Sequence, residues 1–595
     1  MCVQEISLFH AELLRLLKGQ VEKRVQEQGW DPGSDECLKA LLQRLTEPNH
    51  QTPLDEVIEL YQNFFRDKGV VYLEKVLMEA FPEKDFVELG LWRYFPRIYR
   101  GLPRMYHRNF PSQSYVKHPF THLPSLKKHA CIPALYSLYS TCEIAGKVTL
   151  FTWVINDGLG DYIAASEVLR LLKTRFADLA LHFVALVPET MADRLLRPEN
   201  SILIAYAKDC PLEAVSPEVL SLLRSSDLIV QLPTYYPHFD SMVDKLKGMD
   251  GGTMPTIESV GEYGFLESNW FHPKSHNHSM GLHFLEKGVL VRKPLEASWR
   301  DISNPDLLRM RNPENLFYLA YLSTQIGGAI YLHALLKSLQ QDDRSIDLCV
   351  PDLGWFLQFV ERQKQKGKEI LEWELGVQEI EIHLGDRLHL IPISASGKKL
   401  RILSPKELSQ NDFRALLSLS GNWVGIRGNQ SFSEAISQGK TFFYDGREHA
   451  RYFLKDLVAL VENRLPEYQG TLHCIRGMTS GFLYNLPIQE EEWVDEAFFQ
   501  TVEEWPTLAL QLGLSLQDPQ TYEGFQRLSQ IIIQEHSANR FLRHFVQRAL
   551  TLRKYPDMEQ QEAENIGKFI SGAATLRGLI ESHRNVMRSY SKTGG

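Results

Sequence analysis

Apolar residues recur at three- and four-residue intervals through LFHAELLRLLKGQVEKRVQEQ, CLKALLQRL and LDEVIELYQNFF, and this spacing predicts helices early in the chain. Pro103, Pro111, Pro119, Pro124 and Pro133 then punctuate an aromatic stretch that long helices could not thread. Residues 1–145 are therefore expected to be a helical region and an irregular connector. At residue 147 the pattern changes. KVTLFTWVI is a short β-rich run that passes through the turn NDGLGDY into the helical pattern IAASEVLRLLKTRF. LALHFVALV, SILIAYA and DLIVQLP are near-continuous apolar runs, as parallel strands covered on both faces tend to be, with VSPEVLSLLRSS as a helix between them. A parallel α/β domain is expected over 146–295.

A second series opens near Asn315 with an expected long helix, NLFYLAYLSTQIGGAIYLHALLKSLQ. Strand candidates SIDLCV, LHLIPIS, LRILS and NWVGIRG follow, and TFFYD comes after one more helix, which places the second domain over 310–470. Residues 485–595 read as a helical region rich in Glu, Gln and aromatics, and no internal repeat is visible. The expected fold is α/β, two Rossmann-like domains with added helical N- and C-terminal regions, and the cleft between the domains is the usual place for a ligand.

A chain of 595 residues, 44% hydrophobic and 23% charged, exceeds one ordinary domain. A net charge of -9 argues against binding nucleic acid by phosphate neutralisation, and no polybasic patch for a membrane surface is seen. The seven cysteines are an odd number without a CxxC pair, so neither a disulfide framework nor a zinc cluster is expected, and a reducing, cytoplasmic setting is the simpler reading. No apolar run is long enough for a membrane span, and MCVQEISLFHAELLRLLKGQ does not read as a signal peptide. Delivery into a host cell by a specialised secretion system remains compatible with this.

Candidate chemistry begins at Asn156-Asp157-Gly158-Leu159-Gly160-Asp161-Tyr162, where a first strand turns into a first helix. Two glycines let backbone amides approach a ligand, and the helix presents its partially positive end. Of the two carboxylates, Asp161 is read as the proton acceptor and Asp157 as the group that holds the nucleophile or orients a neighbour. The alternative is a plain Gly-rich turn with Asp as helix cap. The second segment runs from Asn422 through Arg427-Gly428-Asn429-Gln430-Ser431-Phe432 and Glu434 to Tyr444-Asp445. A strand, a polar turn, a short helix and a strand follow in order, with Ser431 and the amides after Gly428 at a helix start where a diphosphate is favoured. Arg427 adds a charge-assisted contact, and capping by Ser431 is the alternative.

These signals, in this order, resemble the GT-B glycosyltransferases, and the pattern is similar to that of the bacterial elongation-factor-P arginine rhamnosyltransferases. Asp157-Gly-Leu-Gly-Asp161 is similar to their D-N-F-G-D turn, Glu262-Tyr263-Gly-Phe-Leu-Glu-Ser-Asn-Trp270 to E-Y-L-S-A-E-x-W, and Met280-Gly-Leu-His-Phe-Leu-Glu286 to G-G-L-x-R-E. Leu403 to Phe413, followed by Arg427-Gly-Asn-Gln-Ser-Phe432, resembles the stretch that ends in R-G-E-D-S-F, with Asn429 and Gln430 in place of its two acids. The likeness covers roughly residues 147–460 as short matches. It implies a metal-independent transferase without a cofactor, whose co-substrate is a nucleotide-diphosphate sugar, dTDP-linked in that family, and whose acceptor is a protein side chain such as arginine. It further implies that Asp157 and Asp161 line the acceptor side, that Arg427 and Ser431 meet the diphosphate, and that Phe413 stacks on the base. The carboxylates lean towards inversion.

Other candidates carry two readings each. Tyr235, Tyr236 and His238 follow DLIVQLP as acceptor contacts or as packing. Tyr162 and Tyr263 are assigned to the cleft. Tyr444, Asp445 and His449 are read as donor contacts or a surface loop, and Glu434 as a ribose contact or an exposed helix residue. His272, His276, His278 and His283 lack a distant partner with metal-ligand spacing, so no metal is expected. The chain has no G-x-S-x-G elbow and no P-loop, and Gly158 and Gly160 are followed by Ile163 where a dinucleotide fingerprint needs glycine. A non-catalytic scaffold on a degenerate transferase core is the rival reading, favoured by Asn429 and Gln430.

Overall fold

The computed structural model describes, with short gaps, residues 131–154, 160–206, 215–263, 276–365, 375–480 and 505–593, together with scattered positions between 15 and 45. Those scattered positions are helical, and Leu17, Val21, Leu41 and Leu45 are buried.

The first sheet has six strands in the order β3-β2-β1-β4-β5-β6. They are β1 Gly146–Trp153, β2 Leu179–Pro188, β3 Ser201–Tyr206, β4 Leu228–Gln231, β5 Thr256–Gly261 and β6 His276–Ser279. Every pairing is parallel, β1 lying between β2 and β4 with Val148 opposite both Leu181 and Leu228. Helix α1, Gly160–Arg175, follows β1, while α2, Pro217–Arg224, and α3, Phe239–Gly248, flank β4. Ser216 caps α2 with Pro217 in its first turn, a sequence-coded start. The two faces bury separate apolar clusters, Val148, Leu150 and Val230 on one side and Phe151, Ile229 and Phe239 on the other. The continuous apolar runs in the sequence have this cause.

The second sheet contains β7 Leu316–Leu319, β8 Ile346–Cys349, β9 Val377–Leu384, β10 Arg387–Pro392 and β11 Lys398–Ser404 in the order β10-β9-β11-β8-β7. The strands β12 Trp423–Ile426 and β13 Thr441–Tyr444 continue it through a parallel bridge between Ala320 and Gly425. All pairings are parallel except the edge hairpin β9–β10. Its helices are α4 Gln325–Ser338, α5 Gly354–Gln365, α6 Gln410–Leu419 and α7 Gly428–Ser437.

One expectation fails here. The long helix read from Asn315 is in fact β7, a loop and α4. LFYLAYL is apolar at nearly every position because β7 is an inner strand, and periodicity cannot separate such a strand from a buried helix. α4 is itself buried almost all round, from Gln325 to Leu336. The weakly apolar strands β5 and β6 and the alternating β9 were not foreseen either.

Beyond the second sheet come α8 Arg451–Arg464, α9 Gln469–Ser480, α10 Trp505–Ser515 and α11 Pro519–Glu535. The chain then returns to the first domain in α12, Ala538–Lys554, where Arg553 Nε meets Asp227 Oδ1 at 3.0 Å and Gln547 Nε2 donates to the Ser140 carbonyl at 3.1 Å. Helices α13 Pro556–Ile570 and α14 Leu576–Thr593 finish the chain. Their tie to the segment before β1 is a buried network in which the Tyr139 hydroxyl donates to Glu562 at 2.5 Å and lies 2.7 Å from His583.

Candidate functional site

Both sheets reverse their winding once, and in open α/β sheets a ligand binds outside the carboxyl ends of the strands at such a point. In the first sheet the reversal lies between β1 and β4, and in the second between β7 and β12.

At the second reversal two helices follow neighbouring strands, α4 after β7 and α7 after β12. Helix α4 is capped by Thr324, whose hydroxyl accepts from Gly327 N at 3.0 Å. Asp445, just past β13, covers the same end: its carboxylate accepts from Ser323 N at 2.7 Å, Thr324 N at 2.8 Å and Thr324 Oγ1 at 2.6 Å. The approach is close enough that a Cβ on Gly327 would stand 2.3 Å from Asp445 Oδ1, which is why glycine sits there. An internal carboxylate thus occupies this helix end, and Asp445 is not the donor contact expected of it.

Helix α7 starts differently. Arg427 is its N-cap and makes no side-chain capping bond, so the first-turn amides have no side-chain partner from the cap. Gly428 takes φ +73°, a left-handed conformation that favours glycine. The Arg427 guanidinium lies 4.5 Å over the Tyr321 ring, donates to Asp352 Oδ2 at 2.8 Å and keeps 28% of its side chain exposed. Phe413 is T-shaped to Tyr321, 5.2 Å between centroids. Arg427, Tyr321 and Phe413 therefore form one continuous surface beside the α7 start, and Tyr321 is a member that the sequence reading missed because it lay inside the supposed long helix. The Tyr444 hydroxyl donates to Asn429 Oδ1 at 3.4 Å.

Three of the expected donor residues serve the fold. Phe432 has no exposed surface and packs edge-on to Phe442, Tyr444 and Phe453, so it is core. The Ser431 hydroxyl donates within its own helix, to the Arg427 and Gly428 carbonyls, and its proton is spent there. Glu434 is 2% exposed: it pairs with Arg292, with Arg414 Nε at 3.1 Å, and accepts from Gln430 Nε2 at 3.2 Å. Burial pushes its carboxyl pKa up, against the opposing pull of Arg292 and Arg414. Neither a ribose contact nor an exposed helix residue describes it.

On the first domain, Asn156, Asp157, Gly158 and Tyr235 lie outside the described residues, as do His272, His283 and His449. Gly160 and Asp161 form the first turn of α1. Tyr162 is 4% exposed and edge-on to Phe183 at 5.4 Å, and Tyr236 is fully buried against Phe151 and Trp153. Both are core residues rather than cleft contacts. Tyr263 is buried as well; its hydroxyl accepts from Leu290 N at 2.9 Å and pairs with Ser433 of α7. It joins the domains instead of lining a cleft. Among the described residues no group of three or more His, Cys, Asp or Glu side chains is arranged to hold a metal, and no helix is long and apolar enough to cross a membrane.

Tyr263 stands just past β5 and touches the second turn of α7, and Arg292 bridges Glu167 of α1 to Glu434 of α7. The clamp lies six residues beyond Asp161 and seven beyond Arg427, about 10 Å along either helix. Two Rossmann-ordered parallel sheets, with the helices of their reversal points clamped together, make an α/β fold of GT-B-like class. No protein family and no curated protein matches the chain. Among solved structures it is similar to an alpha-glucosyltransferase in complex with UDP and a 13-mer DNA, at 12% identity and TM-score 0.34 over 68% of this chain and 100% of that one. It is also similar to the glycosyltransferase SnogD from Streptomyces nogalater, at 10% identity and TM-score 0.33 over 68% and 99%, and to the E. coli ADP-heptose heptosyltransferase II, at 13% and 0.27 over 51% and 89%. At these identities and TM-scores the likeness carries no argument, and the ligands named are those proteins' own.

Proposed function

We propose that the chain is a glycosyltransferase that moves a sugar from a nucleotide-diphosphate sugar to an acceptor. The observation that carries this reading is the α7 start at the second reversal point, where the N-cap residue Arg427 makes no side-chain capping bond and keeps 28% of its side chain exposed. Backbone amides, a helix dipole and a guanidinium together favour a diphosphate. Tyr321 and Phe413 offer ring surface for the base. Asp161, in the first turn of the clamped partner helix, takes the proton of the acceptor nucleophile as that atom bonds to the anomeric carbon. The bond from that carbon to the diphosphate oxygen breaks, and the departing nucleotide is stabilised by the α7 amides and Arg427, in the role a metal ion fills elsewhere. Attack opposite the leaving group gives inversion.

The resemblance to the elongation-factor-P arginine rhamnosyltransferases extends the proposal to a dTDP-linked donor and a protein side-chain acceptor such as arginine, in a bacterial cytoplasm. A second reading, a binding protein on a degenerate core, is favoured by Asn429 and Gln430, which stand where that family has acids. Thermal-shift measurement with UDP-, GDP- and dTDP-sugars separates the two. A donor at about 100 times its dissociation constant stabilises by roughly 2.7 kcal/mol. No shift with any of them favours the binding protein.

A further inference from the structure

The linker that leaves the first sheet runs beside the segment by which the chain returns. Val289 N donates to His536 O at 2.6 Å, Ala538 N to Val289 O at 2.9 Å, and the Asn539 side chain bonds both the N–H and the carbonyl of Val291, at 3.1 and 2.6 Å. The next residue, Arg292, donates its backbone N–H to Ser437 Oγ of α7 at 2.9 Å and turns its side chain inward, 3% exposed. There Nη2 meets Glu167 Oε1 of α1 at 2.5 Å and Nη1 pairs with Glu434 of α7. Arg170 holds the other oxygen of Glu167 at 3.0 Å, and Arg414 the other oxygen of Glu434 at 3.1 Å. Charges alternate along Arg170, Glu167, Arg292, Glu434 and Arg414, from the first domain to the second.

A ladder buried at its centre, as at Arg292 and Glu434, adds little net stability, because desolvation offsets most of the attraction, whereas removal of a buried member leaves charge uncompensated. Its consequence is geometric: a planar guanidinium fixes two carboxylates at once. We propose that Arg292 is a positioning residue that sets α1 against α7, and so Asp161 against the α7 start. The catalytic part of this rests on the reading given under Proposed function. Without Arg292 the carboxylates of Glu167 and Glu434 repel across the gap, and a 1 Å displacement at a reacting centre can cost about 10²-fold in rate.

Arg292→Gln and Arg292→Lys test this in the full chain, with spin labels carried by unnatural amino acids at exposed Lys245 of the first domain and exposed Leu388 of the second. The expected result is a longer or broader label distance in Arg292→Gln, with Arg292→Lys intermediate because an ammonium cannot hold both carboxylates in one plane. Turnover with the sugar nucleotide found by thermal shift falls about 100-fold, while the dissociation constant of the nucleotide diphosphate changes less than about threefold. A distance distribution identical to the wild type overturns the proposal, even if the melting temperature drops. If no nucleotide binds any variant, the transferase reading fails, and the label distance still decides the role of Arg292. Should Arg292→Gln not fold, Glu167→Gln, which releases one end of the clamp, gives the same readout.

Discussion

Helices α4 and α7 rise from neighbouring strands of one sheet, yet their first turns are completed in opposite ways. At α4 the protein supplies its own anion, Asp445, and a glycine that lets it come within bonding distance. At α7 the cap is an arginine that makes no capping bond, followed by a left-handed glycine and neutral Asn429 and Gln430. Equal topology thus yields one end that an internal carboxylate closes and one whose N-cap residue makes no capping bond. Reversal of winding offers two candidate anion sites here, and only the side chains decide which remains open.

The sharpest test of the open end acts from across the domain boundary. Asp161→Asn is expected to lower turnover by about 10² to 10⁴-fold with donor affinity retained, as steady-state rates and calorimetry would show. Near-normal turnover would remove Asp161 from the mechanism.

The closed end should answer in stability instead. Asp445→Ala strands the Ser323 and Thr324 donors and is expected to cost about 2–4 kcal/mol in denaturant unfolding, with nucleotide affinity changed little. An Asp445→Ala variant as stable as the wild type would contradict the closed end.

Helix α4 also carries a pH signature of its own. His333 is buried against Trp505, 4.9 Å between centroids, and burial pushes its pKa down to about 4. The unfolded chain takes up this proton near 6.5 and the folded chain does not, so stability is complete above that pH and falls towards pH 4, by on the order of 2–3 kcal/mol. In melting curves across this window His333→Phe should flatten the decline; an unchanged slope would show that other groups set it.

What the sequence revealed follows the range of the interactions. The strand β1, the helix α1 and the segment from Trp423 to Tyr444 were legible because such elements follow one another within a few residues. The place of Arg427 at the start of α7 was legible for that reason. Phe432, Ser431 and Glu434 belong to the same motif, but their partners decide their roles: Glu434 depends on Arg292, 142 residues away, and Tyr263 on Ser433, 170 away. Asp445 looked like a loop acid because Thr324, which it serves, lay within a supposed helix. Arg292 carried no signal at all, being one basic residue in an irregular linker. Hydrophobic pattern locates elements; whether a polar side chain faces ligand or protein is settled by residues that no local window contains.

Calorimetry of UDP, GDP and dTDP against uridine, guanosine and thymidine, on the wild type and on Arg427→Ala, tests the open α7 end most directly. The expected result is that one diphosphate binds and its nucleoside binds far more weakly, with Arg427→Ala costing the diphosphate roughly tenfold, about 1.4 kcal/mol. Binding of nucleoside and diphosphate with equal affinity, or an Arg427→Ala variant that binds as the wild type does, would contradict the assignment of the diphosphate to this helix start.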